Sequence, residues 1–336
     1  ESKMRKFKPI KWFCLVTLVV WLVACDDDND IKEDKKITEP LLKEFEAVVN
    51  TALETYEVPG AAIAIVEGDE IVYAKGFGLR NLENQEPVTP DTVFLTYSFT
   101  KSMVSMMIAT LVDDGLLDWN QRVVEIWPDL VLPTEELTNN VQVRHLMQMN
   151  TGLAFQSNRW FYDTKVNGIS AEEQLDSLAK LPVIAELEQT FDYNSQVYAA
   201  TAHIGALAYG IPYGDLFNGF KQLMQERIFN IIGMESARFI YELSAVSSDY
   251  ATGYAFNLVT NTFEPTILRN GKGGYAASAG VSANVIDVAR FLITQLNQGV
   301  APNGTRVVSV QNLMETRKPQ IKMENTIFDV TYPLSQ

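Results

Sequence analysis

Cysteine and histidine are almost absent, with two of each in 336 residues. Two thiols cannot frame a disulfide-stapled fold, and two imidazoles cannot supply a multi-histidine zinc site. No metal and no cofactor is expected. Basic charge is also scarce: 27 Lys and Arg stand against 42 Asp and Glu, a net charge of −15. No basic face dominates, so nucleic acid is not an expected partner. There is no internal repeat, and no apolar run reaches the ~20 residues of a membrane span. What remains is ordinary globular composition, 47% apolar and 21% charged. At ~100–200 residues per domain, the length allows one large domain or two small ones.

The first 24 residues read as a targeting segment. Arg5, Lys6, Lys8 and Lys11 form a basic region ahead of an uncharged apolar stretch over residues 12–24. The run ends Leu22-Val23-Ala24-Cys25, which resembles a bacterial lipobox, where cleavage precedes the cysteine and its thiol is lipidated. Cys25 is therefore the expected lipidation site. Residues 1–24 carry five basic residues and one acid, so the rest of the chain stands at −19. Asp26, Asp27, Asp28, Asp30, Glu33 and Asp34 make residues 25–40 an acidic, solvated tether. The expected setting is a bacterial cell envelope, facing the periplasm or the surface, with the membrane as a partner through the lipid anchor.

The folded domain is expected over residues 41–336. Apolar positions Leu42, Phe45, Val48, Val49 and Leu53 have helical spacing. Residues 61–66 and 71–74 read as a hairpin around Gly68-Asp69, and Gly76, Gly78 and Pro87 to Pro90 as an irregular passage. Residues 99–245 are mostly helical text. Residues 101–114 are apolar nearly all round, so they predict a buried helix. Further helices are expected over 143–149, 171–180, 196–209 and 216–232, and Ser282 is expected to cap another.

Ser98-Phe99-Thr100-Lys101 fits S-x-x-K. A serine hydroxyl is a weak nucleophile and needs a base beside it. On a helix, residues three apart share a face, so Lys101 can reach Ser98. A buried lysine near a helix N-terminus can lose its proton and accept one from serine. The spacing alone is weak. Sixteen serines and sixteen lysines predict roughly 0.8 chance occurrences, and there are two. The second, Ser177 to Lys180, runs into Pro182 at the polar end of a helix and is expected to be a surface coincidence. Ser98 instead sits where extended Val93-Phe94-Leu95 turns into the most apolar helix of the chain. Tyr193-Asn194-Ser195 opens a later helix. A tyrosine aimed at a lysine ammonium ionises more easily and can serve in proton transfer.

With these motifs, the sequence resembles the serine β-lactamase and penicillin-recognising family, in its class C-like branch. The resemblance rests on residues 58–66, on 94–101 followed by 111–117, on 143–153, and on 279–292, with a weaker stretch at 228–234. It implies an α+β fold: an antiparallel sheet flanked by helices, plus a mostly helical insert. It also implies Ser98 as the acylated nucleophile, Lys101 as its partner and Tyr193 as the tyrosine of a Y-x-N motif. Ser195 stands where that motif has Asn, with Asn194 adjacent, and both are expected near the substrate amide. His145 is implied to pack. The family's third motif, K-T-G or H-x-G on a late strand, is not found in order. His203-Ile204-Gly205 falls in a helix and Lys272-Gly273-Gly274 in a loop. The C-terminal sheet strands are therefore expected to be missing, leaving the domain incomplete at that end.

The resemblance implies a serine hydrolase that forms an acyl-enzyme on an amide or ester: a β-lactam, a D-alanyl peptide or a small ester. The competing expectation is a non-catalytic envelope protein that keeps the fold to bind cell-wall peptides. The sequence leaves the choice among substrates and the oligomeric state open.

Overall fold

The computed structural model describes residues 37–161, 168–239, 248–266 and 273–321. The expected targeting segment, Cys25, most of the expected acidic tether, Lys272 and residues 322–336 lie outside the described residues. The chain divides into two units, Glu1–Val49 and Asn50–Gln336. The described part of the first carries the opening turns of helix α1 (Glu39–Thr55), whose apolar spacing is helical as expected.

The second unit opens on β1 (Gly60–Glu67) and β2 (Glu70–Asn81), an antiparallel hairpin, with β3 (Glu86–Pro87) on the other side of β2. The expected irregular passage is corrected here. β2 runs through Gly76 and Gly78, and Pro87 is a strand residue. The glycines permit this by letting neighbouring backbone approach. A Cβ on Gly76 would lie 2.1 Å from the Val88 carbonyl oxygen, and one on Gly78 would lie 2.2 Å from that of Pro59.

A second small sheet joins β4 (Phe94–Leu95), β5 (Arg238–Phe239) and β8 (Val281–Ala283), with β8 in the middle and antiparallel to both. Between them, β6 (Tyr254–Asn257) and β7 (Thr262–Pro265) form a separate hairpin. The helical middle holds α2 (Thr100–Asp113), α3 (Val123–Ile126), α4 (Glu135–Asn140), α5 (Val143–Gln148), α6 (Ser157–Phe161), α7 (Ala171–Ser177), α8 (Ser195–Ala208), α9 (Leu216–Met224) and α10 (Asn230–Ile232). The single helix expected over 216–232 is α9 and α10 joined by one π turn, Gln225–Phe229, and ended by Gly233 in the left-handed region. Short helices Ala276–Ala279, Val285–Leu296 and Val310–Glu315 follow.

The core is centred on α2 and α8. Eleven of the 14 residues of α2 and 12 of the 14 of α8 are buried, which leaves neither helix a solvent face of any width. Each large apolar side chain so buried contributes roughly 1.5–3 kcal/mol. Phe220, Phe229 and Phe239 close one end of this core, with the Phe220 and Phe239 rings 5.1 Å apart.

Two expectations about serines are corrected. Ser282 does not cap a helix. It is the middle residue of β8, paired with Leu95 and Arg238, so the chain stays extended past it. The cap is Asn284, whose side chain accepts from the Asp287 N–H at 2.9 Å. Ser177 is not on the surface. It is 2% exposed, and its hydroxyl donates to the Gln174 carbonyl at 2.7 Å, because it shares the buried face of α7 with Gln174.

Candidate active site

Ser98 is held by a strand–turn–helix passage clipped to β8. Thr96 donates through both its N–H and its hydroxyl to the Val281 carbonyl, at 2.9 and 2.8 Å. One turn later the Thr100 hydroxyl accepts from the Val281 N–H at 3.1 Å. Between these clips the chain makes a single 3₁₀ turn, Tyr97–Phe99, and enters α2. Tyr97 sits at φ 46°, a left-handed conformation that costs a bulky residue about 1–2 kcal/mol. Ser98 emerges from this turn exposed to solvent.

Lys101 lies beneath it, 1% exposed. Its Nζ donates to Ser98 Oγ at 3.2 Å and to the Ser278 carbonyl at 2.7 Å. The Tyr193 hydroxyl is 2.7 Å from Ser98 Oγ. The lysine nitrogen is flanked by two aromatic rings, with the Tyr193 centroid at 5.1 Å and the Tyr198 centroid at 5.5 Å. Structure thus brings Ser98, Lys101 and Tyr193 together, although Tyr193 lies 95 residues beyond Ser98.

The electrostatics move both flanking groups downward. Burial pushes the Lys101 ammonium below its ordinary value, partly opposed by the Tyr193 charge and hydrogen bond. Burial pushes the Tyr193 phenol up. The Lys101 charge and hydrogen bonding with Ser98, Lys101 and Ser195 outweigh that, so its net shift is downward. A hydroxyl between these two groups has a route for its proton to whichever of them is deprotonated.

Asn194 and Ser195 serve the architecture around Tyr193. Asn194 is 1% exposed and caps α8: its Oδ1 accepts from the N–H groups of Gln196 and Val197 at 3.0 and 3.1 Å. Its Nδ2 donates to the Leu153 carbonyl at 2.8 Å. The amide is thereby taken up inside the protein and does not face solvent. Ser195 is 7% exposed, and its hydroxyl helps to lower the Tyr193 phenol. His145 packs, as the resemblance implied. Its Nδ1 accepts from the Gln142 N–H at 3.1 Å and its Nε2 lies 2.8 Å from the Glu188 carboxylate. His203 is fully buried in α8 with Nε2 3.1 Å from the Gly274 carbonyl, so His203-Ile204-Gly205 is helix core. Among the described residues no strand carries K-T-G or H-x-G.

Sequence reasoning missed two supports of the site. Tyr198 is buried, donates to the Lys101 carbonyl at 2.7 Å and shares a 2.7 Å hydrogen bond with Ser105. Its place on the buried helix α8, five residues after Tyr193, was the available signal. Ser278 acts through its backbone carbonyl, which no side-chain pattern can reveal.

This geometry can be set beside known proteins. The Beta-lactamase family matches residues 45–330, most of the chain. The chain belongs to the beta-lactamase family. Within the range of beta-lactamase relatives, it is 28% identical over 293 residues to the unguisins hydrolase of Aspergillus campestris, covering 84% of this chain and 53% of that protein. The chain thus spans about half the length of that curated relative. In structure it is similar to an octameric penicillin-binding protein homologue from Pyrococcus abyssi, with a TM-score of 0.73 and 24% identity, covering 88% of this chain and 64% of the other. It is also similar to a class C beta lactamase from Rhodobacter sphaeroides, with a TM-score of 0.64 and 21% identity, covering 84% and 73%. At these identities the structural likeness is one of fold. It bears out the expected α+β beta-lactamase arrangement of antiparallel sheet and helical layers.

Proposed function

We propose that this protein is a serine hydrolase that forms an acyl-enzyme on Ser98, acting on an amide or ester such as a β-lactam, a D-alanyl peptide or a small ester. One observation carries the reading: an exposed Ser98 hydroxyl lies 3.2 Å from a buried Lys101 amine and 2.7 Å from the Tyr193 hydroxyl. In this reading Ser98 Oγ attacks the substrate carbonyl carbon while its proton passes to the Tyr193–Lys101 pair. The carbon–nitrogen or carbon–oxygen bond of the substrate then breaks, and the same pair returns the proton to the leaving group. Water, deprotonated by that pair, attacks the Ser98 ester carbon, the Oγ–acyl bond breaks to release the acid, and the pair returns the proton to Ser98 Oγ. Asn194 and Ser195 are positioning residues that fix Tyr193.

The sequence before the domain supports a second part of the proposal: Cys25 carries a lipid that holds the domain at a bacterial membrane. Metabolic labelling with a fatty acid should then be lost in Cys25→Ala.

The reaction is tested with a fluorophosphonate and a fluorescent penicillin. Intact-mass labelling should map to Ser98 and vanish in Ser98→Ala. Labelling that persists in that variant defeats the assignment. If the folded chain reacts with neither probe, the alternative of a non-catalytic binder of cell-wall peptides takes its place. The lack of a K-T-G or H-x-G strand among the described residues is the observation that favours that alternative.

A further inference from the structure

Tyr97 directly precedes Ser98 and is the one aromatic residue with positive φ among the described residues. Glycine and asparagine adopt that conformation far more readily than a tyrosine does. The strain is not offset by burial of the ring, since Tyr97 is 58% exposed. Phe99 points inward, its ring 5.5 Å from that of Phe291 in an edge-on contact. Ser98 turns to Lys101 and Tyr193. Tyr97, the residue next to Ser98 in the chain, makes neither of these contacts and stays open to solvent. Its backbone has little freedom to swing, because the residues on either side of the turn are clipped to Val281. The other aromatic beside Ser98, Tyr193, is also exposed, at 46%.

Resting on the hydrolase reading, we propose that Tyr97 is a specificity residue. Its ring walls the mouth over Ser98 and selects substrates whose acyl group carries a planar apolar ring. A strained, exposed aromatic held beside a reactive hydroxyl offers a flat apolar face at a fixed position. Such a face pairs with another ring by stacking or edge contact. The backbone conformation supplies the rigidity that a freely rotating surface tyrosine lacks.

The test compares kcat/KM of the full chain for 4-nitrophenyl phenylacetate and 4-nitrophenyl acetate in wild type, Tyr97→Phe and Tyr97→Asn. Fluorophosphonate labelling of Ser98 and the melting temperature are followed in parallel. The phenylacetyl-to-acetyl ratio should fall by about tenfold or more in Tyr97→Asn and stay near the wild-type value in Tyr97→Phe. Tyr97→Asn should melt no lower than wild type, because asparagine tolerates left-handed backbone. An unchanged ratio in Tyr97→Asn, in a chain whose Ser98 is labelled, overturns the specificity role and leaves the hydrolase reading standing. A fall of several degrees in its melting temperature also overturns that role, since the ring would then be a structural prop. A wild-type chain that is neither labelled nor active on either ester overturns the hydrolase reading and this proposal with it.

Discussion

Two copies of Ser-x-x-Lys occupy the same chain in opposite arrangements. In the first, Ser98 is exposed and Lys101 is buried. In the second, Ser177 is buried and Lys180 is exposed on a 3₁₀ turn. The spacing and the helical context are alike, yet only the first puts a desolvated amine under a hydroxyl that substrate can reach. The second puts a solvated amine beside a hydroxyl already donating to the Gln174 carbonyl. Burial of the lysine and exposure of the serine separate a reactive pair from a structural one. Separation along the sequence does not.

The comparison breaks first at the serines. Ser98→Ala should lower acylation by at least ~10³-fold, as loss of a nucleophile does. Ser177→Ala should leave labelling unchanged and cost about 1 kcal/mol of stability for one lost hydrogen bond. Intact-mass labelling and urea unfolding of both variants decide it. Labelling lost in Ser177→Ala while the protein stays folded would reverse the assignment.

Next come the bases. Lys101→Ala and Tyr193→Phe should each slow acylation by ~10²-fold or more, the scale of general acid–base help. Their double mutant should lose less than the product of the singles, because groups that act as a unit are non-additive. Stopped-flow acylation rates give the comparison, and strictly multiplicative losses would mean that the two work independently.

A third measurement separates buried groups that act from buried groups that hold. Burial pushes the His203 imidazole down to about 4, from an ordinary 6.5. Between those values the unfolded chain binds the proton and the folded chain does not. The stability tied to His203 is therefore intact above pH 6.5 and is lost as pH falls towards 4, by about 3 kcal/mol at most. Unfolding free energies from pH 7 to 4 should show that slope, and a foldable His203→Gln variant should flatten it.

The smallest effect concerns Asn194. Removing its cap in Asn194→Ala should cost about 1–2 kcal/mol in urea unfolding. It should also lower the acylation rate, since Tyr193 is the residue before the cap. A destabilised variant with an unaltered rate would show that the cap holds α8 without aiming Tyr193.

Much of this was legible before the structure. Lys101 and Ser98 are three residues apart, so helix geometry alone brings them together, and the all-round apolar text of α2 announced that the lysine would be buried. Tyr193 was a candidate from its place ahead of a later helix, but only the family resemblance paired it with Ser98, because its approach to Ser98 is a tertiary event. The errors have a common origin in reading a residue type without its partner strand. Ser282 looked like a cap until β8 was seen to be paired on both sides. Gly76 and Gly78 looked like breakers, but backbone packed against them leaves no room for a Cβ. Asn194 looked free to meet substrate, and the cap of α8 and the Leu153 carbonyl claim it. Ser278 was illegible in principle, since it contributes only main chain.

The carbonyl that anchors Lys101 belongs to a residue 177 positions later in the chain. At ~5–20 residues per second, a ribosome needs roughly 9–35 seconds to travel that distance. Throughout that interval the nascent chain already contains Ser98 and Lys101, and soon Tyr193. Its lysine is still hydrated and keeps its proton at the ordinary affinity of an amine in water. The reactivity proposed for Ser98 is therefore absent during elongation and arrives only when the segment around Ser278 folds back. A growing polypeptide threaded through a crowded cell would thus meet esters and amides without acylating itself.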